Sequence, residues 1–253
     1  MISAVIAIII AALLFILYMW AEAFRNRIRI HTLAYDQLPI SFHGYRLFFI
    51  SDVHRRLIPM KLIDTLRSQV DHVVIGGDFC EKGVKMERIE ENIKRLAQLA
   101  PIIFVWGNND EEVGKERLRS LLKNYNVEEL INSVKTIKRG NEKINIAGVD
   151  DVGHSRDDLV KVVKESIGTF SVLISHYPII TQELPRIHPF SLVLSGHTHG
   201  GQIRFFGWGL EQKGRLVTHP SYTHLISNGF GTTGVPMRLG APAEAHLLVL
   251  VKK

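Results

Sequence analysis

Cysteine is nearly absent from this chain, because Cys80 is the only one among its 253 residues. One thiol excludes an intramolecular disulfide, a CxxC zinc site and a cysteine-ligated iron–sulfur cluster. We expect Cys80 to be a small buried residue at the end of a strand. Internal repeats and low-complexity tracts are also absent. Any metal site in this protein must therefore take its ligands from nitrogen and oxygen donors.

A stripe of basic residues with interleaved aromatic residues is missing as well. The formal net charge is +6 and the sequence pI is about 9.4, which alone is compatible with nucleic acid, anionic lipid or a phosphorylated substrate. The lysines and arginines are scattered along the chain, and this disfavours nucleic acid as a partner. The hydrophobic content of 46% is enough for one large domain with a substantial core, but two independent domains would be cramped. The sequence carries no signal of an oligomeric state.

The longest apolar run stands at the N-terminus. Ile2 to Trp20 contains no charged residue and is about as long as a helix that crosses a bilayer. Tyr18 and Trp20 close the run, and such amphipathic rings favour the membrane–water interface. We therefore predict a membrane anchor, a connector and one globular domain, over residues 1–24, 25–43 and 44–253.

Basic residues follow this run at Arg25, Arg27 and Arg29. Because basic residues beside a membrane span are enriched on the cytoplasmic side, we expect a single-pass protein of the cell membrane with its domain in the cytoplasm. An extracytoplasmic domain is the alternative, since the export machinery can override the charge bias of a single span. A cleaved signal peptide that ends at the small-residue pattern 21–23 is disfavoured, because no basic residues precede the run.

Strand-like and helix-like segments alternate in the first half of the domain. Continuous apolar runs predict strands at 46–50, 72–75 and 102–106. Helical periodicity predicts helices at 61–70, 85–99 and 111–123. This alternation is typical of an α/β domain with a largely parallel central sheet.

The second half of the chain has a different pattern. Two apolar runs joined by a Gly-Asn turn predict a β-hairpin over 134–149. We predict a helix at 156–166 and strands at 172–174 and 192–194, and beyond residue 203 the apolar runs are short and separated by glycines. A second, more antiparallel sheet packed on the first is the simplest architecture.

Residues that can bind metal stand directly after five of these strand-like runs. The clusters are Asp52-Val53-His54, Gly76-Gly77-Asp78, Gly107-Asn108-Asn109-Asp110, Ser175-His176-Tyr177-Pro178 and Gly196-His197-Thr198-His199. The carboxyl ends of strands meet at one edge of an α/β sheet, so these side chains can converge there. Imidazole, carboxylate and amide oxygen donors without thiolate suit manganese, iron or zinc. Two such cations about 3.5–4 Å apart polarise a phosphoryl oxygen and activate water, so the sequence predicts a two-metal hydrolase of phosphate esters.

The ordered motifs Asp-x-His, Gly-Asp, Gly-Asn-x-Asp, His-x-Pro and Gly-His-x-His resemble those of the calcineurin-like metallophosphoesterases. The Gly-His-Thr-His-Gly-Gly-Gln sequence at 196–202 looks most like a bacterial, often membrane-associated branch. The resemblance spans residues 40–251 and implies a four-layer αββα sandwich of two mixed sheets. It also implies two divalent metal ions, for which manganese is the first choice and iron or zinc are the alternatives. The ligands it implies are Asp52, His54 and His199 for one metal, Asn108, His176 and His197 for the other, and Asp78 as the bridge.

Asn109 departs from the family pattern, which commonly has histidine at this place. The resemblance gives that histidine two roles, to orient the phosphate and to protonate the leaving group, and an amide can fulfil only the first of them. We therefore expect Asn109 and Asp78 to be catalytic. We expect the protein to prefer a phosphodiester or pyrophosphate substrate, and a lipid-linked one if the membrane anchor holds the site near substrates in the bilayer. One alternative is a phosphomonoesterase that takes its acid from His219, His224 or Asp110. Another is a non-catalytic metal-binding scaffold that recruits a partner to the membrane.

Substrate binding is predicted at three positions, namely Arg55, Asn109 and His224. Arg55 and its neighbour Arg56 follow the first pair of ligands and can bind an anionic substrate or lipid headgroups, although solvated loop arginines are an equally good interpretation. His224 lies in the glycine-rich tail with His219 and Arg238, and a packing role is the ordinary expectation for an isolated histidine.

Overall fold

The computed structural model describes residues 1–168 and 170–253. Its first element is helix α1 (Ile2–Ala23), which has 22 residues and is long and apolar enough to cross a membrane. Nearly all of α1 is exposed, and only Met19, Glu22 and Ala23 at its C-terminal end are buried against the rest of the protein. The helix therefore stands out from the domain and touches it only where it ends.

The first sheet has six strands in the order β1-β12-β2-β3-β4-β5. All neighbouring pairs are parallel except β12 with β2. The strands are β1 (Arg27–Tyr35), β2 (Tyr45–Ile50), β3 (His72–Gly76), β4 (Ile102–Val105), β5 (Glu128–Glu129) and β12 (Glu244–Lys252). The helices between them are α2 (Met60–Leu66), α3 (Met86–Ala97) and α4 (Lys115–Asn124).

The second sheet also has six strands, in the order β10-β11-β9-β8-β7-β6. Its two outer pairs are antiparallel and its inner pairs are parallel, so it is the more antiparallel of the two sheets. Its elements are β6 (Ser133–Arg139), β7 (Glu142–Gly148), α5 (Leu159–Glu165), β8 (Ser171–Ile174), β9 (Phe190–Ser195), β10 (Arg215–Thr218) and β11 (Thr223–Ile226).

Alternate residues of the central strands face different hydrophobic layers. In β2, Phe48 packs towards the helices and Phe49 packs towards the second sheet. In β9, Leu194 faces the first sheet, whereas Val193 faces the layer that contains α5. Because strand side chains alternate with a period of two, each sheet is buried on both faces. The result is the four-layer αββα sandwich of two mixed sheets that the sequence predicts.

Several predicted segments differ from the structure. Residues 25–43 are not only a connector, because they contain β1, an edge strand that pairs on one side only. Arg27 and Arg29 lie on the same face as the buried Leu33 and Tyr35, so no single apolar alternation marks this strand. The helix predicted at 111–123 is interrupted at Gly114, which has φ of 97° and separates a short 3₁₀ turn from α4. The apolar run at 205–207, for which the sequence predicts no particular element, forms an exposed turn in which Phe205 bridges Trp208.

Removal of Leu194 from the layer between the sheets tests this packing. The Leu194→Ala variant loses a fully buried side chain, and we expect it to lower the free energy of unfolding by about 2–5 kcal/mol. Chemical denaturation followed by circular dichroism measures this change. The matched control is Ile187→Ala, at an exposed loop position, which should change stability by less than about 0.5 kcal/mol. Equal effects of the two substitutions would contradict the assigned layer.

Candidate metal centre

The five predicted clusters lie in loops at the carboxyl ends of β2, β3, β4, β8 and β9. The two sheets face each other, so their loops meet at one edge of the sandwich. A hydrogen bond links the loops of the two sheets there, because the Asp52 side chain accepts through Oδ1 from the His197 backbone N at 3.0 Å. The structure therefore brings together residues that are far apart in sequence.

Main-chain strain is concentrated in these loops. The left-handed region of φ, between 50° and 69°, is occupied by Asp52, His54, Asp78, His197 and His199. Residues with side chains rarely adopt these angles, and each costs of the order of 1–3 kcal/mol unless the surroundings enforce it. Such strain is typical of a functional site. These backbone conformations direct the five side chains towards the edge where the loops meet.

The first group of donors consists of Asp52, His54 and His199. Nε2 of His54 lies 3.0 Å from Nε2 of His199, and Nε2 of His199 lies 3.5 Å from Oδ1 of Asp52. All three residues are buried. Two imidazole nitrogens that face each other at this distance share one position for a proton or a cation, so the group has the donors of a metal site.

The second group consists of Asp78, His176 and His197. Nε2 of His176 lies 3.3 Å from Oδ2 of Asp78 and 3.3 Å from Nδ1 of His197. On its other side, Nδ1 of His176 is 2.9 Å from the carbonyl oxygen of Gly76. A hydrogen bond from Nδ1–H to this carbonyl fixes the orientation of the ring and directs Nε2 at the group.

Asp78 lies between the two groups. Its Oδ2 is 3.9 Å from Nε2 of His54 in the first group and belongs itself to the second. Asn109 donates to both of its carboxylate oxygens, through the backbone N to Oδ1 at 2.9 Å and through Nδ2 to Oδ2 at 2.7 Å. The side chain that replaces the family histidine is thus in contact with the shared carboxylate.

Two buried oxygen atoms test whether a cation fits here. Oδ2 of Asp52 and Oδ1 of Asn108 are buried and have no hydrogen-bond partner among the described residues. A buried oxygen without a partner costs free energy, and a carboxylate oxygen costs most. A divalent cation would satisfy both, because each is a hard oxygen donor of the kind that manganese, iron and zinc accept. The donor set of this chain therefore fits a pair of divalent metal ions.

Two further acidic residues, outside the predicted ligand set, support the site. Glu81 places Oε2 2.9 Å from Nδ1 of His54, where it orients the ring. Asp110 is fully buried and accepts hydrogen bonds from the backbone N of Gly107, Asp78 and Cys80, at 2.8, 2.9 and 3.0 Å. It thereby fixes the loop that carries Asp78. The sequence signals for these supporting roles are that Asp110 closes the Gly-Asn-x-Asp motif and that Glu81 stands three residues after Asp78.

Burial and charge divide the histidines into two kinds. Burial lowers the pKa of His197 to about 4 and that of His199 to about 3, so both rings are neutral near pH 7 and offer lone pairs. Burial also opposes a charge on His176, but the carboxylates of Asp78 and Asp52 outweigh it and raise the pKa to about 10. A metal ion that binds beside Asp78 must therefore displace a proton from His176.

The predicted substrate residues are placed differently from one another. The side chain of Arg55 is exposed and pairs with Glu81. His224 is buried, with Nε2 3.2 Å from the hydroxyl of Ser195, and it lines a cavity of about 450 Å³ beside His197. Asn109 contacts Asp78 as described above. Of these residues, only His224 lines that cavity.

Two buried arginines, Arg56 and Arg238, have structural roles instead of binding substrate. Arg56 donates to the carbonyl oxygens of Phe230 and Phe24, both at 2.5 Å, and stacks 3.9 Å from the Phe230 ring centroid. Arg238 is fully buried, and its guanidinium donates to several main-chain carbonyls, including those of His199 and Ala241 at 3.2 and 2.9 Å. Neither guanidinium is free to bind phosphate. The sequence left a substrate role open beside a solvated or packing role, because it does not show that loops from distant segments enclose these side chains.

A four-layer αββα sandwich with two donor groups at one edge defines a candidate dinuclear metalloprotein. A profile of the calcineurin-like phosphoesterases matches residues 45–201. The chain belongs to this family, which the five motifs predict.

Known relatives span most of the chain. The uncharacterized protein YpbG of Bacillus subtilis (strain 168) is 41% identical over 239 residues, which are 92% of this chain and 90% of that protein. A protein of Bos taurus described as a transmembrane protein with a metallophosphoesterase domain is 30% identical and covers 85% of this chain and 54% of its own length. The phosphodiesterase YaeI of Escherichia coli (strain K12) is 26% identical and covers 63% of this chain and 62% of its own.

Among solved structures, the 5′-nucleotidase precursor of Thermus thermophilus has the same fold. It superposes with a TM-score of 0.55 at 15% identity, over 81% of this chain and 54% of the other. At this identity the likeness concerns the fold.

Substitution of the shared carboxylate tests the metal centre. The Asp78→Asn variant keeps the shape of the side chain but removes the charge that both donor groups face, and we expect bound manganese to fall from two ions per chain to one or none. Inductively coupled plasma mass spectrometry after equilibration with Mn²⁺ measures this ratio.

The matched control is Asp64→Asn, because Asp64 is an exposed carboxylate on α2. It should retain the metal content of the unmodified chain. Full metal content in Asp78→Asn, in a protein with an unchanged circular dichroism spectrum, would contradict a shared carboxylate.

Proposed function

We propose that this protein is a membrane-anchored phosphoesterase that uses two divalent metal ions, with manganese as the first choice and iron or zinc as alternatives. The observation that carries the proposal is the position of Asp78, which belongs to one donor group and lies 3.9 Å from His54 of the other, in the motif order of its family. The proposed ligands are Asp52, His54 and His199 at one ion, Asn108, His176 and His197 at the other, and Asp78 at both.

Bound divalent ions supply Lewis-acid activation of water and of a phosphoryl oxygen. The residues of this chain would hold the metal ligands in position for that reaction. Glu81 orients His54, the carbonyl of Gly76 orients His176, and Asn109 holds the Asp78 carboxylate through two hydrogen bonds. His197 has its ring against that of Tyr177, with centroids 3.8 Å apart, which fixes the wall of the adjoining cavity.

We propose a phosphodiester or pyrophosphate substrate because Asn109 brings no general acid to the site. Asn109 stands where the family commonly has histidine, and its amide cannot deliver a proton. Both carboxylate oxygens of Asp110 accept main-chain hydrogen bonds, so this residue is committed to the loop. The description of the Escherichia coli relative as a phosphodiesterase supports the same substrate class.

A phosphomonoesterase is the second candidate, and one residue favours it. His219 lines the cavity beside His197 together with Arg215 and His224. An imidazole at that wall is a possible source of a proton for the leaving group. In this case Asn109 would not limit the choice of substrate.

The membrane anchor is proposed for α1, with the domain on the cytoplasmic side. The length and composition of the helix and the exposure of its apolar side chains support the anchor. Arg25, Arg27 and Arg29 directly after it support the orientation. The bovine relative described as a transmembrane protein agrees with this proposal.

The Asn109→His variant tests the substrate preference. In the presence of Mn²⁺, we expect the unmodified protein to hydrolyse bis(p-nitrophenyl) phosphate faster than phenyl phosphate, whose leaving group needs a proton. Restoring an imidazole should raise the rate with phenyl phosphate by at least about 100-fold, the contribution typical of a general acid. The control is Asn141→His at an exposed turn, which should change neither rate. A faster reaction of the unmodified protein with the monoester would refute the diester preference.

A further inference from the structure

An apolar hairpin projects from the loop that follows the metal-site histidines. We define it as residues 204–210. Phe205 and Trp208 exchange both backbone hydrogen bonds, at 2.9 and 2.8 Å, around a tight turn made by Phe206 and Gly207, which both have positive φ. Phe206, Trp208 and Leu210 are 108%, 80% and 91% exposed. Three large apolar side chains therefore point into solvent from one short turn.

Hydrogen bonds from the side chain of Arg204 hold the hairpin in this shape. The guanidinium of Arg204 donates to the carbonyl oxygens of Gly200, Gly207 and Glu211, at 2.9, 2.7 and 2.7 Å. A loop braced across its base presents its tip at a fixed position instead of folding it back on the domain. Phe206 also adopts φ of 50°, an unfavourable angle for an aromatic residue, and so keeps its ring at the outermost point.

The hairpin is also attached to the end of α1. The backbone N of Arg204 donates to the carbonyl of Leu239 at 2.7 Å, and the backbone N of the adjacent Arg238 donates to the carbonyl of Met19 in α1 at 2.9 Å. Val235, on the same segment, is 56% exposed, and the side chain of Gln202 binds its carbonyl at 3.0 Å. The exposed apolar residues are thus beside the point where the helix leaves the domain.

From this arrangement we infer that the apolar hairpin is a second membrane contact, which enters the interface of the same bilayer that α1 crosses. The inference rests on the proposed anchor. Tryptophan and phenylalanine are the side chains that favour the interface, and large exposed apolar clusters mark interaction surfaces. Lys213 and Arg215 lie within five residues of the end of the hairpin, after Glu211 and Gln212, and Arg25 lies close to the end of α1, so both apolar segments have cations nearby that suit anionic headgroups.

This contact also specifies where the substrate is taken from. Glu211 and Gln212 follow the hairpin and line the cavity of about 450 Å³ next to His197. With the hairpin in the interface, that cavity opens at the level of the headgroups. The chemistry that this position fits is a phosphate ester carried by a lipid in the bilayer, in preference to a soluble one.

Depth measurements on the full chain test the inference. The protein is placed in nanodiscs of phosphatidylcholine and phosphatidylglycerol, and an environment-sensitive fluorophore is attached at Phe206→Cys, Leu13→Cys or Ile187→Cys. Cys80 is fully buried, so the unmodified chain should take up no label. We expect lipids with a spin label near the headgroup to quench the fluorophore at position 206 at least threefold more than at 187, which precedes β9 at the opposite edge of the sheet.

The label at position 13, in the middle of α1, reports the anchor itself and is read with lipids that carry the spin label deep in the acyl chain, because the middle of a spanning helix lies about 15 Å from the headgroups. Quenching at 13 without quenching at 206 would overturn the inference and leave the anchor intact, and absence of quenching at both would overturn both. In the Phe206→Cys background, Trp208→Ser with Leu210→Ser should reduce the quenching at 206 towards the value at 187. Because this readout needs no catalysis, a failure of the proposed hydrolysis would be seen separately.

Discussion

The position of one carboxylate constrains the whole catalytic edge. Asp78 has φ of 50°, and its side chain must reach both donor groups. The main chain makes room for it, since a Cβ atom on Gly107 would lie 2.3 Å from Asp78 Oδ1. Asp110 then fixes the backbone of both residues with hydrogen bonds from one buried carboxylate. Loops after β3 and β4 are therefore built as a unit around Asp78, and the histidines of the second sheet complete the site.

Most of the site follows from the sequence, because its side chains stand directly after strands. Asp52, His54 and His176 each come within a few residues of a continuous apolar run, and the topology of an α/β sheet brings such places together. The family order then determines the expected fold, which the structure shows. Local pattern and global topology agree at this edge of the sandwich.

The rest depends on contacts between distant segments, which no local pattern reveals. β1 pairs with β12 more than 200 residues later, and its arginines lie on the same face as its buried Leu33 and Tyr35, so the sequence does not predict a strand there. The sequence leaves the role of Arg238 in the glycine-rich tail open, and only the structure shows that loops from several segments bury it completely. The sequence marks 205–207 only as a short apolar run, and the positive φ of Phe206 and the hydrogen bonds from Arg204 turn it outward.

The two buried arginines connect the end of α1 with the metal loops. Arg56 binds the carbonyl of Phe24, and Arg238 binds the carbonyl of His199 while its own backbone N binds Met19. Burial lowers the pKa of Arg56 to about 9 and that of Arg238 to about 10, so both remain charged near pH 7. A buried guanidinium is costly unless its N–H groups find acceptors, and here main-chain carbonyls supply them. The chain thus uses two buried charges to keep the exit of the helix in a fixed position relative to its metal centre.

Because the C-terminal end of α1 is fixed relative to the metal centre, the presence of Asn109 in place of the family histidine can be interpreted together with the proposed anchor. Since its amide holds Asp78 through Oδ2 at 2.7 Å, Asn109 contributes to the placement of the shared carboxylate but brings no acid to the leaving group. An enzyme without a general acid depends on a substrate whose leaving group departs easily and on accurate positioning of that substrate. If α1 is the proposed membrane anchor, the site is held beside a bilayer, which would supply such positioning for a lipid-borne ester. The proposed lack of an acid at Asn109 and the rigid attachment of the domain to α1 are therefore mutually consistent.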